Sequence, residues 1–342
     1  MPRQLAKHLS EALSVVEAAP RVRVAVICGG KNTEHDVSLA SSNGVIASLV
    51  ELGHQVLRIV IGKDGIWRTE HTTGFSEVFR ELSECAVAFP VIHGMGGEDG
   101  TLQGLLEFIG IPYVGCGVAS SAVTMSKEIA KVMVAAEGMR VAEGIVLDTA
   151  KDYELDALAL HYPVFVKASR SGSSYGVSRV ESPEALQDAI DIAAAIDPIV
   201  LIEREIVGRE IDLGLLQMPD GSVQVSEPLE ILADPDEPFF TATAKYFSDG
   251  TVFEIPADVA GDVRQRLQQA ALDAYRILGC SGLARVDFFV PEDGIPVFNE
   301  LNTMPGMGPV SQFPRMWAQA GLEYRELVGI LLASASHKSL AT

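Results

Sequence analysis

Apolar runs and amphipathic stretches alternate along the first third of the chain. The apolar runs predict buried strands over residues 21–28, 55–61, 86–92 and 113–114. Amphipathic periodicity predicts helices over residues 36–52 and 101–109, and Asp36 or Ser38 is expected to cap the first of these. Strands that alternate with helices are typical of an open parallel sheet. We therefore expect an α/β lobe over residues 1–118, with a helical extension at residues 1–20.

The pattern changes after this lobe. A helix is predicted over residues 120–137, and a second helix over residues 183–195. Short apolar runs predict strands over residues 141–147, 163–168, 176–180 and 199–203. These elements indicate a small α+β lobe over residues 119–206. A third lobe, residues 207–342, combines strands with a helix at residues 259–278, a loop at residues 232–243 and a closing helix after residue 322.

Two strands of the third lobe, joined by a turn at residues 291–294, are predicted to form a hairpin. Strand side chains alternate between faces, so Arg285 shares a face with Asp287, and Glu300 shares a face with Asn302. If these faces meet, two carboxylates and an amide oxygen converge beside one arginine, which is an oxygen-rich site suited to Mg²⁺. A pair of solvated acidic strands is the alternative, but the neighbouring apolar residues argue against exposure. Buried carboxylates need a cation, so the hairpin predicts a metal site at Asp287, Glu300 and Asn302.

A loop of glycine, serine and lysine, KASRSGSSYG at residues 167–176, is a candidate phosphate site. It matches neither a Walker loop nor a dinucleotide fingerprint. Its backbone N–H and hydroxyl donors could still close over phosphates, with Lys167 just ahead of them. Lys127, at the helix that opens the middle lobe, is a second candidate. The alternatives are an ordinary polar hairpin tip for the loop and a solvated helix face for Lys127.

Polar residues also follow the ends of three predicted strands. The strand that ends at Glu203 could offer backbone groups to an adenine edge, and Glu210 could reach ribose hydroxyls. Glu34, after Gly29-Gly30, could hold an ammonium group, or it could only serve the electrostatics of the helix end. His93 lies at the same carboxyl edge of the sheet, where open α/β folds bind ligands. Its alternative is a loop histidine that bonds nearby backbone.

Composition and charge narrow the class of protein. The chain has 342 residues, of which 48% are hydrophobic and 21% charged, as in a globular protein. A formal net charge of -20 argues against nonspecific binding to nucleic acid or an anionic membrane. Four cysteines form no CxxC pair, so no zinc or redox motif is predicted. No signal peptide or transmembrane span is predicted, which favours the cytoplasm.

The order of these motifs resembles that of the D-alanine–D-alanine ligase family, a member of the ATP-grasp group. The resemblance covers residues 22–332 and is carried by the segments GGKNTEHDVSL, HGMGGEDGTLQG, IPYVGCG, RSGSSYGV, GLARVDFF and NELNTMPGM. It implies three lobes: a Rossmann-like lobe at residues 1–118, a central lid at residues 119–206 and a catalytic lobe at residues 207–342. The last two would sandwich ATP.

The resemblance also implies ligands for each site. ATP would be held by Lys127, Lys167, Ser174, Glu203 and Glu210. Two Mg²⁺ or Mn²⁺ ions would be held by Asp287, Glu300 and Asn302. The carboxylate of one D-alanine would attack the γ-phosphate, and the amine of a second would then displace phosphate from the acyl phosphate. The product, D-alanyl-D-alanine, would serve peptidoglycan synthesis.

Catalytic and substrate-binding residues follow from the same resemblance. The implied catalytic residues are Glu34, Ser173, Tyr246, Arg285 and Gly306. Within this set Glu34 would bind the first ammonium, Ser173 and Tyr246 would complete a network with it, and Arg285 and the Gly306 N–H would stabilise the tetrahedral intermediate. The implied substrate-binding residues are His93, Lys245, Ser311 and Gln312. A homodimer through the N-terminal lobe is expected.

Three departures from the family pattern lie near the expected second-substrate pocket or its lid: the run at residues 239–243, Gly308-Pro309 and Gln312. The segments EHD, RSGSS and FPRM resemble the vancomycin-resistance branch, which joins D-alanine to D-lactate or D-serine. Lys245-Tyr246 instead resembles the dipeptide-forming type, so we expect D-alanyl-D-alanine. The alternatives are D-lactate, D-serine or another D-amino acid as the acceptor, or a nucleotide-binding regulator or scaffold that has lost catalysis.

Overall fold

A computed structural model describes residues 2–155, 158, 160–232 and 252–338 of the chain. Three sheets organise these residues. Within this part of the chain, no helix combines the length and the apolar character needed to cross a bilayer.

The first sheet is built from the N-terminal part of the chain. Its elements are α1 (Pro2–Ala18), β1 (Arg23–Gly29), α2 (His35–Glu51), β2 (Gln55–Ile61), β3 (Trp67–Arg68), α3 (Phe75–Ser83), β4 (Val87–Pro90) and α4 (Thr101–Phe108). The strand order is β3-β2-β1-β4, with β1 parallel to β2 and β4. The predicted open sheet is therefore confirmed, although β3 and α3 were not predicted. The strand predicted at residues 113–114 is only an isolated bridge from Tyr113 to Ala88.

The predicted caps of α2 are wrong. Glu34 occupies the position before the helix, and no side chain caps it. The Ser38 hydroxyl instead accepts the Gly29 N–H at 2.8 Å and donates to the Val91 carbonyl at 2.5 Å. Ser38 therefore ties the glycine turn to the neighbouring strand end, at the edge of the sheet where Glu34 and His93 lie.

The second sheet contains the loop of residues 167–176. The elements of this segment are α5 (Val118–Met125), α6 (Lys127–Ala136), β5 (Arg140–Val141), β6 (Gly144–Asp148), β7 (Val164–Ala168), β8 (Ser178–Val180), α7 (Leu186–Ala194) and β9 (Ile199–Arg204). The order β6-β9-β7-β8 is antiparallel throughout. The helix predicted over residues 120–137 is two helices, because Ser126 is extended, with ψ 94°. The strand predicted over residues 141–147 is also divided, since β5 joins the third sheet.

The third sheet has seven strands and contains the predicted hairpin. Its segment contains β10 (Arg209–Gln217), β11 (Val223–Val225), β12 (Leu229–Leu232), β13 (Val252–Glu254), α8 (Gly261–Ile277), β14 (Leu283–Val290), β15 (Val297–Asn302), α9 (Gln312–Gln319) and α10 (Tyr324–Lys338). The order is β13-β12-β10-β14-β15-β5, and β11 pairs with β10. In the hairpin, Arg285 lies opposite Asn302 and Asp287 opposite Glu300, with an irregularity after Asp287.

Two apolar cores fix the third sheet against the rest of the chain. One joins α6 and α8 to the sheet, with Val134, Leu267 and Phe288 buried together. The other joins the N-terminal sheet to the segment after the hairpin, because Met307 and Trp317 pack in the same cluster as β1 and α2. Helix α10 packs on α2 and α1. The loop that follows β15 is therefore held from the N-terminal side of the molecule.

Candidate active site

A cavity of about 540 Å³ lies between the second and third sheets. Seven of the residues implied by the resemblance line it: Lys127, Lys167, Ser173, Ser174, Glu203, Glu210 and Glu300. Apolar side chains, among them Phe165, Phe289 and Phe298, complete its walls. A space of this size with apolar walls and several convergent charges is typical of a small-molecule site.

Three lysines and two glutamates form an ion-paired cluster on the cavity wall. Lys131 Nζ lies 2.5 Å from Glu203 Oε1, and Lys167 Nζ lies 2.7 Å from Glu203 Oε2. Lys127 Nζ lies 3.2 Å from Glu300 Oε2 and donates to the Ser171 carbonyl at 2.5 Å. The Glu203 carboxylate is therefore turned towards the lysines.

Burial and charge act in opposite directions on this cluster. Burial alone would raise the pKa of Glu203, but Lys167 and Lys131 outweigh it and hold that pKa at about 2. Burial, together with the like charge of Lys167, lowers the pKa of Lys131 to about 7. The pKa of Lys167 is raised despite burial, because Glu203 and Glu300 favour its charged form. The cluster thus contains an ionised Glu203 whose charge is shared between two buried lysines.

Lys131 was missed by the sequence analysis, although a signal was available. It follows Lys127 by four residues in α6, so both side chains lie on one face of that helix. The predicted phosphate-binding role of Lys127 could have been extended to the same face.

The serine-rich loop of residues 167–176 connects the second sheet to Glu34 of the N-terminal lobe. Ser173 and Ser174 both have positive φ, 51° and 57°, which is unusual for residues with side chains. In this conformation Ser173 Oγ donates to Glu34 Oε1 at 2.5 Å. Glu34 is buried, and a Cβ atom added at Gly94 would lie 2.2 Å from its Oε2. The glycine there is required so that the carboxylate can approach the backbone.

His93 bonds protein groups through both ring nitrogens. Nδ1 lies 2.9 Å from the Met304 carbonyl and Nε2 lies 3.2 Å from Ser41 Oγ. Burial lowers the pKa of His93, although the Glu34 charge opposes this. Both partners come from distant segments, so His93 links the N-terminal lobe to the chain after β15.

Glu98 connects the His93 loop to the chain after β15, and it was also missed. It accepts the N–H groups of Gly94 and Met304, at 2.8 Å and 2.9 Å, and the hydroxyl of Thr303 at 3.3 Å. Burial raises the pKa of Glu98 to about 7, despite these donors. The segment HGMGGEDG contained Glu98, but the sequence alone did not show which distant backbone it would bind.

The hairpin side chains form a second charged cluster. Arg285 donates to both oxygens of Asp287 at 2.7 Å, and Asn302 Nδ2 donates to Asp287 Oδ2 at 3.0 Å. Arg285 Nε also lies 3.3 Å from Asp212 Oδ2. Burial would lower the pKa of Arg285, but Asp287 and the other nearby carboxylates raise it. The predicted hairpin therefore brings Arg285, Asp287 and Asn302 together.

Two carboxylates and an amide oxygen are the donors available to a metal at this hairpin. Among the residues that the structure describes, no three His, Cys, Asp or Glu side chains converge as a metal-binding group. A metal there would therefore depend on Asp287, Glu300 and the Asn302 oxygen. These donors are all oxygen and suit Mg²⁺. Both carboxylates contact cationic side chains, Asp287 through Arg285 and Glu300 through Lys127.

The loop between β15 and α9 contains Gly306 and Ser311. Ser311 precedes α9, and its N–H donates to the Gly308 carbonyl at 2.8 Å. A Cβ atom at Gly306 or Gly308 would lie 3.1 Å or 3.2 Å from Ser311 Oγ, so the loop is tightly wound around that hydroxyl. Gln312 Nε2 donates to Asp212 Oδ2 at 3.2 Å, the same oxygen that faces Arg285.

Lys245, Tyr246 and the run at residues 239–243 lie outside the described residues. Their predicted roles stay predictions, as do the roles of the other site residues.

Most of the segments that form this site match the sequence profiles of a known family. Residues 23–116 match the profile described as "D-ala D-ala ligase N-terminus", and residues 133–333 match the one described as "D-ala D-ala ligase C-terminus". The chain belongs to the D-alanine–D-alanine ligase family. Membership of this family implies ATP and D-alanine as substrates.

Curated relatives within the D-alanine–D-alanine ligase family match over nearly the whole chain. The D-alanine–D-alanine ligase of Rhodococcus opacus (strain B4) is 41% identical over 358 residues, which covers 92% of this chain and 97% of the relative. That of Corynebacterium aurimucosum is 40% identical and covers 95% of this chain and 100% of the relative. The predicted family and enzyme class are thereby confirmed.

Solved structures confirm the predicted α/β fold of three lobes. The crystal structure of the VanG D-Ala:D-Ser ligase from Enterococcus faecalis has a TM-score of 0.80 at 32% identity, covering 92% of this chain and all of that one. The D-alanine-D-alanine ligase from Coxiella burnetii has a TM-score of 0.79 at 29% identity, covering 94% of this chain and 96% of that one.

Proposed function

We propose that this protein joins two D-alanine molecules to D-alanyl-D-alanine, with conversion of ATP to ADP and phosphate. The observation that carries the proposal is the lysine-rich cavity between the second and third sheets, in a chain about 40% identical to ligases of that name. Its lining supplies apolar surface for a base and cations for phosphates.

ATP would lie in this cavity, with its base against the apolar walls near β9. Glu210 would reach the ribose, and Lys127 and Lys167 would contact the phosphates. The loop around Ser173 and Ser174 would add hydroxyl and backbone N–H donors. Phosphoryl transfer depends mainly on such positioning and on neutralisation of the phosphate charge.

Asp287, Glu300 and Asn302 would hold the metal. When bound, Mg²⁺ or Mn²⁺, two ions per site in our proposal, would neutralise phosphate charge and fix the phosphate geometry. Lys127 contacts Glu300 at 3.2 Å and can turn towards a phosphate when another cation balances that carboxylate.

The first chemical step would take place between Glu34 and the phosphates. Glu34 would bind the ammonium group of the first D-alanine, and Ser173 would keep the Glu34 carboxylate in place. A carboxylate oxygen of this D-alanine would then form a bond to the γ-phosphorus as the bond to the β-phosphate oxygen breaks. The products are ADP and an acyl phosphate.

The second step would use the loop before α9. Ser311 would receive the carboxylate of the second D-alanine, with His93, Lys245 and Gln312 completing its pocket. The unprotonated amine would attack the acyl carbon to form the C–N bond, after which the C–O bond to phosphate breaks and the nitrogen loses one proton, which the released phosphate takes up. Arg285 and the Gly306 N–H would stabilise the oxyanion, with each donor contributing roughly 2.7–4 kcal/mol by analogy with other oxyanion holes. Tyr246 would complete the network of Glu34 and Ser173 and help to exclude water.

The proposal extends to the organisation of the protein. We place the lobe boundaries after residues 118 and 206, although β5 pairs with β15 across the second of these. We also propose a homodimer through the N-terminal lobe and a cytoplasmic location, where the product would enter peptidoglycan synthesis.

D-serine is the second candidate acceptor. The VanG D-Ala:D-Ser ligase is 32% identical to this chain, and Gly308, Pro309 and Gln312 depart from the common pattern beside the acceptor pocket. D-lactate, or a D-amino acid other than alanine and serine, is a further alternative acceptor.

ADP release with D-alanine and Mg²⁺, followed by mass spectrometry of the product, tests the proposal. We expect D-alanine-dependent turnover and D-alanyl-D-alanine as the main product when D-serine and D-lactate compete. A main product that contains serine or lactate would replace the acceptor assignment. Tight ATP binding without any ligated product would instead support a regulator.

A further inference from the structure

We propose that Lys131 is a positioning residue that allows Lys167 to leave Glu203 for the phosphates of the nucleotide. This inference rests on the proposed function, because it concerns the same cavity. None of the motifs described above gave a role to Lys131.

The geometry that supports it is a carboxylate shared between two lysines. Lys131 contacts Oε1 of Glu203 at 2.5 Å, and Lys167 contacts Oε2 at 2.7 Å. All three residues are less than a tenth exposed. Each oxygen of Glu203 therefore has its own cationic partner in a place with little access to water.

The three residues belong to different elements. Lys167 and Glu203 lie on the paired strands β7 and β9 of the second sheet, whereas Lys131 lies on α6, which packs against the third sheet. A cation from outside the second sheet thus contacts a carboxylate inside it. Its backbone is therefore anchored separately from the strands that carry Lys167 and Glu203.

In the proposed function Lys167 has two anionic partners, Glu203 and a phosphate. Movement towards the phosphate breaks its ion pair with Glu203. A buried carboxylate that loses its only partner is strongly destabilised, because its charge is then neither solvated nor paired. If Lys167 were the sole partner of Glu203, its movement to a phosphate would carry this penalty. Lys131 removes the penalty, since Glu203 keeps one buried cation after Lys167 has moved.

A second effect acts in the same direction. The like charge of Lys167 disfavours the charged form of Lys131. As Lys167 moves towards a phosphate, this repulsion falls and the pair of Lys131 with Glu203 becomes stronger. The two lysines therefore favour transfer of Lys167 only when an anion is present to receive it.

Two other roles for Lys131 are conceivable and make different predictions. Lys131 lines the cavity and could touch the nucleotide directly. It could also serve only the stability of α6 against β9. Direct contact would be independent of the charge of Glu203, and a purely structural role would affect ligands with and without phosphate alike.

The test is a double-mutant cycle read by calorimetric binding of ADP with Mg²⁺, with adenosine as the ligand that lacks phosphate. We expect Lys131→Met to weaken ADP binding by at least about tenfold and adenosine binding by less than about threefold. In a Glu203→Gln background, where no buried carboxylate needs a partner, the same substitution should change ADP binding by less than about threefold.

Controls make the result independent of folding. Lys131→Arg keeps the cation and should bind ADP nearly as the unmodified protein does, whereas Lys151→Met removes an exposed lysine that pairs with Asp148 and should have no effect. If Lys131→Met does not fold, Lys131→Gln takes its place in the cycle. Thermal unfolding is measured for every variant.

The outcomes separate this inference from the proposed function. A loss of ADP affinity that persists in the Glu203→Gln background, an equal loss for adenosine, or no loss at all would overturn the role of Lys131. In each of these cases the unmodified protein still binds ADP. Failure of the unmodified protein to bind ADP would overturn the proposed function itself.

Discussion

The Glu34 carboxylate lies so close to the backbone at Gly94 that a side chain there would collide with it. Gly94 has φ +68°, and a Cβ atom there would lie 2.2 Å from Glu34 Oε2, whereas Gly96 has φ +87° and an added Cβ would meet nothing within 4 Å. Gly94→Ala should displace the carboxylate and raise the KM of the first D-alanine by about tenfold, or roughly 1.4 kcal/mol. Steady-state kinetics with saturating ATP measure this.

Gly96→Ala is the matched control for this prediction. Both substitutions place a side chain at positive φ, which destabilises the backbone by roughly 1–2 kcal/mol each. Only Gly94→Ala reaches Glu34. An equal rise in KM for both variants would show that backbone strain, and not the position of Glu34, is responsible.

Glu300 lies directly opposite Asp287 in the hairpin and contacts Lys127. Glu300→Gln keeps the shape of the side chain but removes one of the two charges offered to a metal. We expect Mn²⁺ binding in the presence of ADP to weaken by about 10–100-fold and kcat to fall by about 10²–10³. Electron paramagnetic resonance titration of Mn²⁺ and a kinetic assay measure these effects.

Glu292→Gln, at the exposed turn of the same hairpin, is the control and should change neither quantity. The melting temperature of Glu300→Gln should stay within a few degrees of the unmodified value. Near-normal metal binding and turnover in Glu300→Gln would disprove the metal assignment.

At the residue scale, the sequence predicted those groupings of side chains that depend on local spacing. Arg285, Asp287, Glu300 and Asn302 follow from strand alternation and a short turn, and the structure brings them to one place. Helix spacing could have indicated that Lys131 faces the cavity, but not that Glu203, 72 residues away, is its partner, and Glu98 was missed because its partners lie up to 206 residues away in the chain. A lone charge gives no signal of a distant carboxylate or backbone amide.

At the element scale, the loop between β15 and α9 is fixed from the N-terminal side of the molecule. The Tyr324 hydroxyl, at the start of α10, donates to the Met307 carbonyl at 2.5 Å. Pro309 lies against α2, where a Cβ atom at Gly44 would be 3.1 Å from its ring. These contacts set the position of Gly306 and Ser311.

Tyr324→Phe tests whether that support matters for the second substrate. Loss of the hydroxyl leaves the buried Met307 carbonyl without this donor. The free energy of unfolding should fall by about 1–2 kcal/mol. We expect the KM of the second D-alanine to rise by about 3–10-fold, while ATP affinity stays the same. Tyr153→Phe, which removes a hydroxyl bonded to Gln187 in the second lobe, should leave both unchanged. A similar effect from both variants would remove the special role of Tyr324.

The elements that sequence reasoning misplaced share a cause. The predicted helix over residues 120–137 breaks at Ser126, and the predicted strand over residues 141–147 divides between two sheets. In both places apolar periodicity continues across the break, because each half packs against a core. The periodicity of apolar residues indicates which side chains are buried, but it does not indicate which sheet they pack against.

At the scale of the whole molecule, Glu98 joins the N-terminal lobe to the chain after the hairpin. Burial raises its pKa from an ordinary 4.5 to about 7 in the folded protein. Between these values the folded state holds a proton that the unfolded state has released, so stability falls as pH rises. The contribution is fully present below pH 4.5 and is lost as pH rises through 7.

Glu98→Gln removes this titration. The full shift corresponds to about 3 kcal/mol, and partial exposure of the carboxylate reduces it to roughly 1–2 kcal/mol. We therefore expect the free energy of unfolding of the unmodified protein to fall by that amount relative to Glu98→Gln between pH 5 and 7.5. Urea unfolding at several pH values measures this, with exposed Glu77→Gln as the control. A difference that does not vary with pH would contradict the assignment.

The three-lobe arrangement was the most predictable feature of the molecule. It follows from strand and helix order and from the family resemblance. The contact of α10 with α2 and the shared core around Trp317 could not be predicted, since they join the two ends of the chain. For the same reason, the sequence did not predict how Glu34, Ser173 and Glu98 are brought to one site, because they lie far apart in the chain.

The central claim, that a D-alanine carboxylate is activated by the γ-phosphate of ATP in the cavity between the second and third sheets, can be tested by isotope transfer. D-Alanine labelled with ¹⁸O in its carboxylate is incubated with ATP and Mg²⁺, and the released phosphate is analysed by mass spectrometry. The account predicts one ¹⁸O atom in each phosphate released with dipeptide. Unlabelled phosphate, formed by attack of water on ATP, would contradict it.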